Sequence, residues 1–148
     1  NYAALVPESL NAMLALEKYV ANSGLELSLY ELVKTRASQI NKCGYCLDMH
    51  TKEARKAGET EQRLYALNAW REAPFYTDRE RAALAWTEEL TLIAQNDVPD
   101  SLYEATREHF SETELVALTM AIVAINGWNR LAVSFRKVPG SYQIQEDK

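Results

Sequence analysis

Chain breakers are scarce, with five Gly and four Pro in 148 residues. So few exclude a collagen-like or Pro-rich chain and disfavour a turn-dense all-β fold. Cysteine is scarcer still: two residues cannot build the disulfide framework of a small secreted domain. Positive charge is in deficit, since 16 Lys and Arg against 21 Asp and Glu leave a net charge of -5. An acidic chain repels phosphate backbones, so nucleic acid is not expected as a partner. Long apolar runs are missing too. The longest, Leu115 to Ile125, falls short of the ~20 residues a bilayer needs, and no membrane partner is expected. Asn1 to Pro7 carry neither the basic stretch nor the apolar core of an export signal. With only two cysteines, a reducing, cytoplasmic setting is expected.

What remains is an ordinary globular composition, 47% hydrophobic and 25% charged, which excludes disorder. The length suits one domain over residues 1–148. Apolar residues recur at helical spacing almost throughout, and no run alternates at period two, so the fold class is all-α, about seven or eight helices. Pro7 suits a first turn, and its helix stops at Ser23-Gly24. A second helix is predicted from Ser28 to about Asn41 and a third from about Lys42 to Ala57, with Gly58 as a left-handed stop. A short helix follows Thr60. Thr77/Glu80 and Ser111/Glu114 read as capping boxes that open two more, around a brief one near Asp100 to His109. The segment Leu115 to Ile125 is apolar on all sides and is expected to be buried all round. That helix is expected to break near Gly127 and resume to Phe135, with Asn126 and Asn129 satisfying backbone groups at the break and Arg130 anchoring a carboxylate.

The informative segment is Cys43-Gly44-Tyr45-Cys46-Leu47-Asp48-Met49-His50. At ~100° per residue, Cys43, Cys46 and His50 fall within a ~60° arc of one helix face. A thiol attacks only as the thiolate. The helix N-terminus, His50 and Lys42 all favour that form, so a lowered thiol pKa is expected at Cys46. Other readings stand beside this one. A four-residue ring is a poor structural staple by chain-entropy arithmetic, worth ~2 kcal/mol. Zinc would need four ligands, and His109, the one other His, lies in a different helix and reads as an exposed or capping residue. Two inert core thiols are a third option. The His at helical spacing tips the pair toward chemistry. An acid should orient that His; Glu31, Asp48 and Glu53 are the candidates. Asp48 and Glu53 point away from His50 on the same helix. From periodicity, Glu31 reads as a surface carboxylate, although Thr35 and Ser38 beside it are small enough for another helix to pack over. Trp70, Trp86 and Trp128 read as core or interface residues, one of them near the thiols.

Glu31, eleven residues, Cys43-Gly44-Tyr45-Cys46, three residues and His50 together resemble the signature of the AhpD-like alkylhydroperoxidases of the carboxymuconolactone decarboxylase superfamily. Arg36 to Asn41, Leu47 to Thr51, Arg81 to Trp86 and Ile125 to Arg130 share the likeness, which covers most of the chain. The resemblance implies a compact helical bundle that forms homo-oligomers, commonly trimers or hexamers. It implies a peroxidase that takes a hydroperoxide and a thiol or disulfide reductant, with no cofactor. Cys46 would be the peroxidatic thiol, Cys43 the resolving one, His50 the proton carrier, and Glu31 its backing acid. Some members carry a second His between the cysteines where this chain has Tyr45, so a relay through that ring is lost. A decarboxylase-like enzyme without thiol chemistry, or a redox-sensing or metal-binding protein, are the alternatives.

Overall fold

The computed structural model describes residues 2–144. Among these the chain forms eight α-helices and no strand, as the apolar spacing predicts. They are α1 (Tyr2–Leu5), α2 (Pro7–Ala21), α3 (Leu27–Ile40), α4 (Gly44–Lys56), α5 (Glu61–Tyr65), α6 (Asp78–Thr91), α7 (Asp100–Arg107) and α8 (Glu112–Ser134), with a 3-10 turn at Leu67–Ala69.

Local chemistry sets the ends. Pro7 opens α2, where its missing N–H costs nothing. Both predicted capping boxes form: Thr77 and Glu80 cap α6, and Ser111 and Glu114 cap α8, each pair satisfying two otherwise orphaned N–H groups. Three helices end in the same way. After α4, the N–H of Gly58 donates to the carbonyl of Arg55 and that of Glu59 to Ala54, with Gly58 at φ 95°. Lys42 repeats this after α3 and Arg136 after α8, at φ 56° and 54°. A left-handed backbone at a residue with a Cβ costs about 1–2 kcal/mol, so these two positions are held against their own preference.

Two lobes of the core lie on either side of α3, and a third, smaller cluster gathers Ala37, Cys43, Cys46, Ile125 and Ala132. Leu29 and Val33 pack with Trp86, Phe110, Leu118 and Ile122, while Leu32 packs with Leu64, Leu67, Trp70 and Leu84. Trp70 and Trp86 are buried as expected and their indoles are satisfied: Trp70 donates to Glu88 at 2.8 Å and Trp86 to Thr119 at 3.0 Å. α3 touches α4, α6 and α8, and it buries Glu31, Lys34, Thr35 and Ser38 along with its apolar residues.

α8 corrects two expectations. It runs unbroken through Gly127. The glycine serves close packing instead: a Cβ there would sit 2.9 Å from the terminal methyl of Met13 on α2. Asn126 and Asn129 consequently have no break to repair. They cross-link helices: Asn41 donates to Asn126 (3.0 Å) and Asn129 (2.8 Å), and Asn129 donates to Ser38 (3.0 Å). Arg130 donates to the Asn126 carbonyl at 2.9 Å, and no carboxylate pairs with it among the described residues. Nor is α8 buried all round, because Val116 and Val123 are 55% and 49% exposed. Its 23 residues are long and apolar enough to cross a membrane, which the sequence reading did not expect. Here α2, α3, α4, α6 and α7 pack against it, and that burial accounts for most of its apolar character.

The helix-end glycine Gly58 and the mid-helix Gly127 make opposite predictions. Gly58→Ala forces a Cβ into a left-handed backbone and should cost about 1–2 kcal/mol in urea unfolding. Gly127→Ala gains up to ~1 kcal/mol of helix propensity against a small displacement of a flexible Met13 tip. It should leave stability equal or higher; a clear loss would mean that Met13 cannot give way to the added Cβ.

Candidate active site

The end of α3, the start of α4 and the end of α8 meet at one point. α4 begins with Cys43 as its N-cap, and the Cys43 sulfur accepts the N–H of Cys46 at 3.3 Å. Cys43 and Cys46 are joined as a disulfide, their Cα atoms 5.3 Å apart. Gly44 leaves room for Pro139, whose Cγ would lie 3.0 Å from any Cβ at that position. The segment after α8 thereby lies along α4. Tyr142 donates to Glu53, and Lys52 donates to the Tyr142 carbonyl at 3.0 Å.

One turn past Cys46, His50 is 7% exposed. Its Nδ1 lies 2.9 Å from Oε2 of Glu31, which is 4% exposed. This overturns the surface reading of Glu31 from periodicity. α4 packs against α3 and brings His50 onto Glu31, while Asn129 of α8 reaches Ser38, so the face that looks solvated in sequence is interior. Asp48 and Glu53 do not touch His50; Asp48 pairs with Lys52 at 2.9 Å and Glu53 accepts from Tyr142. His109 stands apart from this site, and its carbonyl accepts from Arg79.

A cavity of about 780 Å³ opens on this group. Glu31, Cys46 and His50 stand in its wall with Tyr45, Met49 and Trp128, so Trp128 is the tryptophan near the thiols. Leu10, Leu14 and Phe135 extend the apolar lining. The cavity wall also holds a second polar group that the sequence reading missed. Lys34, buried, donates to Glu17 at 2.7 Å and to the Tyr30 hydroxyl, and Tyr30 donates to Glu17 at 2.8 Å. Tyr30, Glu31 and Lys34 stand at i, i+1 and i+4 on α3, so spacing places all three near one face. Only the partner Glu17, thirteen residues before Tyr30, escapes a local rule. Burial lowers the Lys34 pKa although Glu17 opposes the shift, and burial beside Glu17 raises that of Tyr30.

An all-helical bundle with a Cys-x-x-Cys pair at the head of a helix and a buried His–Glu pair behind it defines an AhpD-like member of the carboxymuconolactone decarboxylase superfamily. The chain belongs to the carboxymuconolactone decarboxylase family, whose model matches residues 7–89. It is 46% identical over 134 residues to the uncharacterized protein YdfG of Bacillus subtilis, covering 90% of this chain and 91% of that one. It superposes with a TM-score of 0.92 and 48% identity on a crystal structure from Agrobacterium tumefaciens, over 96% of this chain and 97% of that one. That protein is of unknown function and provisionally described as the antioxidant defence protein AhpD. A segment of 47 residues is 43% identical to alkyl hydroperoxide reductase AhpD of Hyphomonas neptunium, covering 32% of this chain and 26% of that one.

The half-buried Tyr30 sets an alkaline limit. Below pH 10 Tyr30 is protonated in both states and contributes no pH dependence. Above it the unfolded chain sheds a proton that the fold keeps, so stability falls as pH rises. Lys34 acts oppositely, but only up to its ordinary value of 10.5, where the unfolded chain also deprotonates. Between pH 10.5 and 12, Tyr30→Phe should lose stability less steeply than the parent chain. Parallel urea midpoints across that range would remove Tyr30 as the cause.

Proposed function

We propose that this chain is a thiol-dependent peroxidase of the alkyl hydroperoxide reductase type. The observation that carries the reading is the placement of Cys46, disulfide-bonded to Cys43, in the wall of the cavity that also presents His50 and Glu31. With the pair reduced, Cys46 gives its proton to the His50–Glu31 pair. The thiolate attacks the distal oxygen of a hydroperoxide, the O–O bond breaks, and the leaving alkoxide takes the proton back as alcohol. Cys46 is now a sulfenic acid. The Cys43 thiol condenses on it, water leaves, and the disulfide forms. Two electrons from a thiol reductant reset the site by exchange.

Glu31 acts here as the group that orients and charges His50, and Cys43 as the resolving thiol. The cavity's size and apolar lining favour an organic hydroperoxide over hydrogen peroxide. The exposed Val116 and Val123 on α8 support a homo-oligomer, whose mass light scattering would give.

Stopped-flow consumption of cumene hydroperoxide with dithiothreitol tests the scheme. Cys46→Ser should abolish turnover. Cys43→Ser should consume about one peroxide per site and then stall as a sulfenic acid that dimedone traps. Glu31→Gln should slow peroxide attack by about 10²-fold, the lower end for a lost acid–base partner. Full multiple turnover in Cys46→Ser would end the proposal, and an unchanged rate in Glu31→Gln would reduce Glu31 to scaffold.

A further inference from the structure

The disulfide has two sides. Cys46 belongs to the wall of the large cavity, and Cys43 does not. Cys43 belongs to the wall of a second, smaller cavity of about 340 Å³, and Cys46 does not. Tyr45, Ala132 and the residues from Arg136 to Val138 stand between and border both. The smaller cavity carries three cations, Lys42, Arg136 and Lys137, and no Asp or Glu lines it. None of the three makes an ion pair among the described residues. Lys137 is held by its ammonium over the Tyr45 ring, 4.3 Å from the centroid. In a chain of net charge -5, three unneutralised cations around one small opening stand out from the rest of the surface.

The backbone adds an independent observation. Lys42 and Arg136 are the left-handed residues that end α3 and α8, the position that Gly58 fills after α4. Glycine suits that conformation best, yet at both helix ends that border the smaller cavity the chain has a long cation instead.

We propose that the smaller cavity is the entry port for the reductant, and that the reductant is a small thiol bearing an anionic group. The inference rests on the reading of Cys43–Cys46 as a working disulfide. The reductant's thiolate attacks the Cys43 sulfur, the S–S bond breaks, and Cys46 leaves as thiolate on the side of His50 and Glu31. A second thiolate then attacks the reductant's sulfur in the mixed disulfide. Cys43 is released as thiolate, and the two reductant molecules leave joined as their own disulfide. The protein gains the two electrons that the two thiols lose. Attack at Cys43 leaves the thiolate on the sulfur that the next hydroperoxide must meet. Cys43 is 1% exposed, so its sulfur admits a small thiol and not the face of a folded redox protein.

The test uses the oxidised full chain and three thiols of similar size: 2-mercaptoethanesulfonate, 2-mercaptoethanol and cysteamine. Each rate of disulfide loss is expressed per thiolate and divided by the same thiol's rate with a small neutral disulfide. The expected order is anion, neutral, cation, with about tenfold between the ends at low salt and a gap that closes as salt is added. Lys42→Gly together with Arg136→Gly relieves two strained backbones, so the variant should melt no lower than the parent and should lose most of the ordering. Under limiting 2-mercaptoethanesulfonate with acid quench, the mixed disulfide should map to Cys43. A flat series, an ordering that survives in the double variant, or an adduct on Cys46 would overturn the proposal. No peroxide enters the measurement, so a chain inert toward hydroperoxides would still show the ordering, and the two readings fail separately.

Discussion

A carboxylate buried in a helical core needs a partner, and the contact between Glu31 and His50 is what allows α3 to pass through the middle of this protein. An unpaired buried charge costs several kcal/mol, and deleting one member of a buried pair typically costs about 3–5 kcal/mol. α3 carries four buried polar or charged residues, and each has a partner. Glu31 meets His50, Lys34 meets Glu17 and Tyr30, Thr35 bonds back to the Glu31 carbonyl, and Ser38 accepts from Asn129. No buried side-chain nitrogen or oxygen among the described residues lacks one. The site is therefore the polar part of the core itself.

The basic groups in that wall keep their partners separate. Lys34 donates to Glu17, and Nδ1 of His50 lies against Glu31, so each of these carboxylates has a basic group of its own. Glu53, Arg136 and Lys137 line the same cavity. Lys34 thereby leaves Glu31 as the carboxylate that His50 meets.

Much of this was legible from residues alone, and the parts that were not share a cause. Caps are local events: Thr77/Glu80, Ser111/Glu114 and Gly58 were readable because each acts within four residues. The helical spacing of Cys43, Cys46 and His50 was readable for the same reason. Glu31 was misplaced by periodicity because α3 is covered on several sides, and a hydrophobic stripe marks only one of them. The resemblance sets Glu31 behind His50 without supplying the reason for their contact, which is the packing of α4 against α3. Gly127 was read as a break because glycine weakens an isolated helix. In the folded chain it is the seat of Met13, a contact 114 residues away in sequence that no local rule can see. Arg130 and the two asparagines failed in the same way. Their partners lie on or just past α3, on α6 and within α8, and with no break to mend the two asparagines tie helices together.

Tyr45 bears on how the proton travels. The family resemblance gives some members a His between the cysteines, a second ring beside the peroxidatic sulfur. Here that position holds an aromatic ring whose face is occupied by the Lys137 ammonium. The ammonium holds the ring as part of the partition between the two cavities. In the proposed scheme this leaves the His50–Glu31 pair to carry the proton on the Cys46 side. Tyr45 stands at the position where some members carry a His, and with Ala132 and the residues from Arg136 to Val138 it borders both cavities.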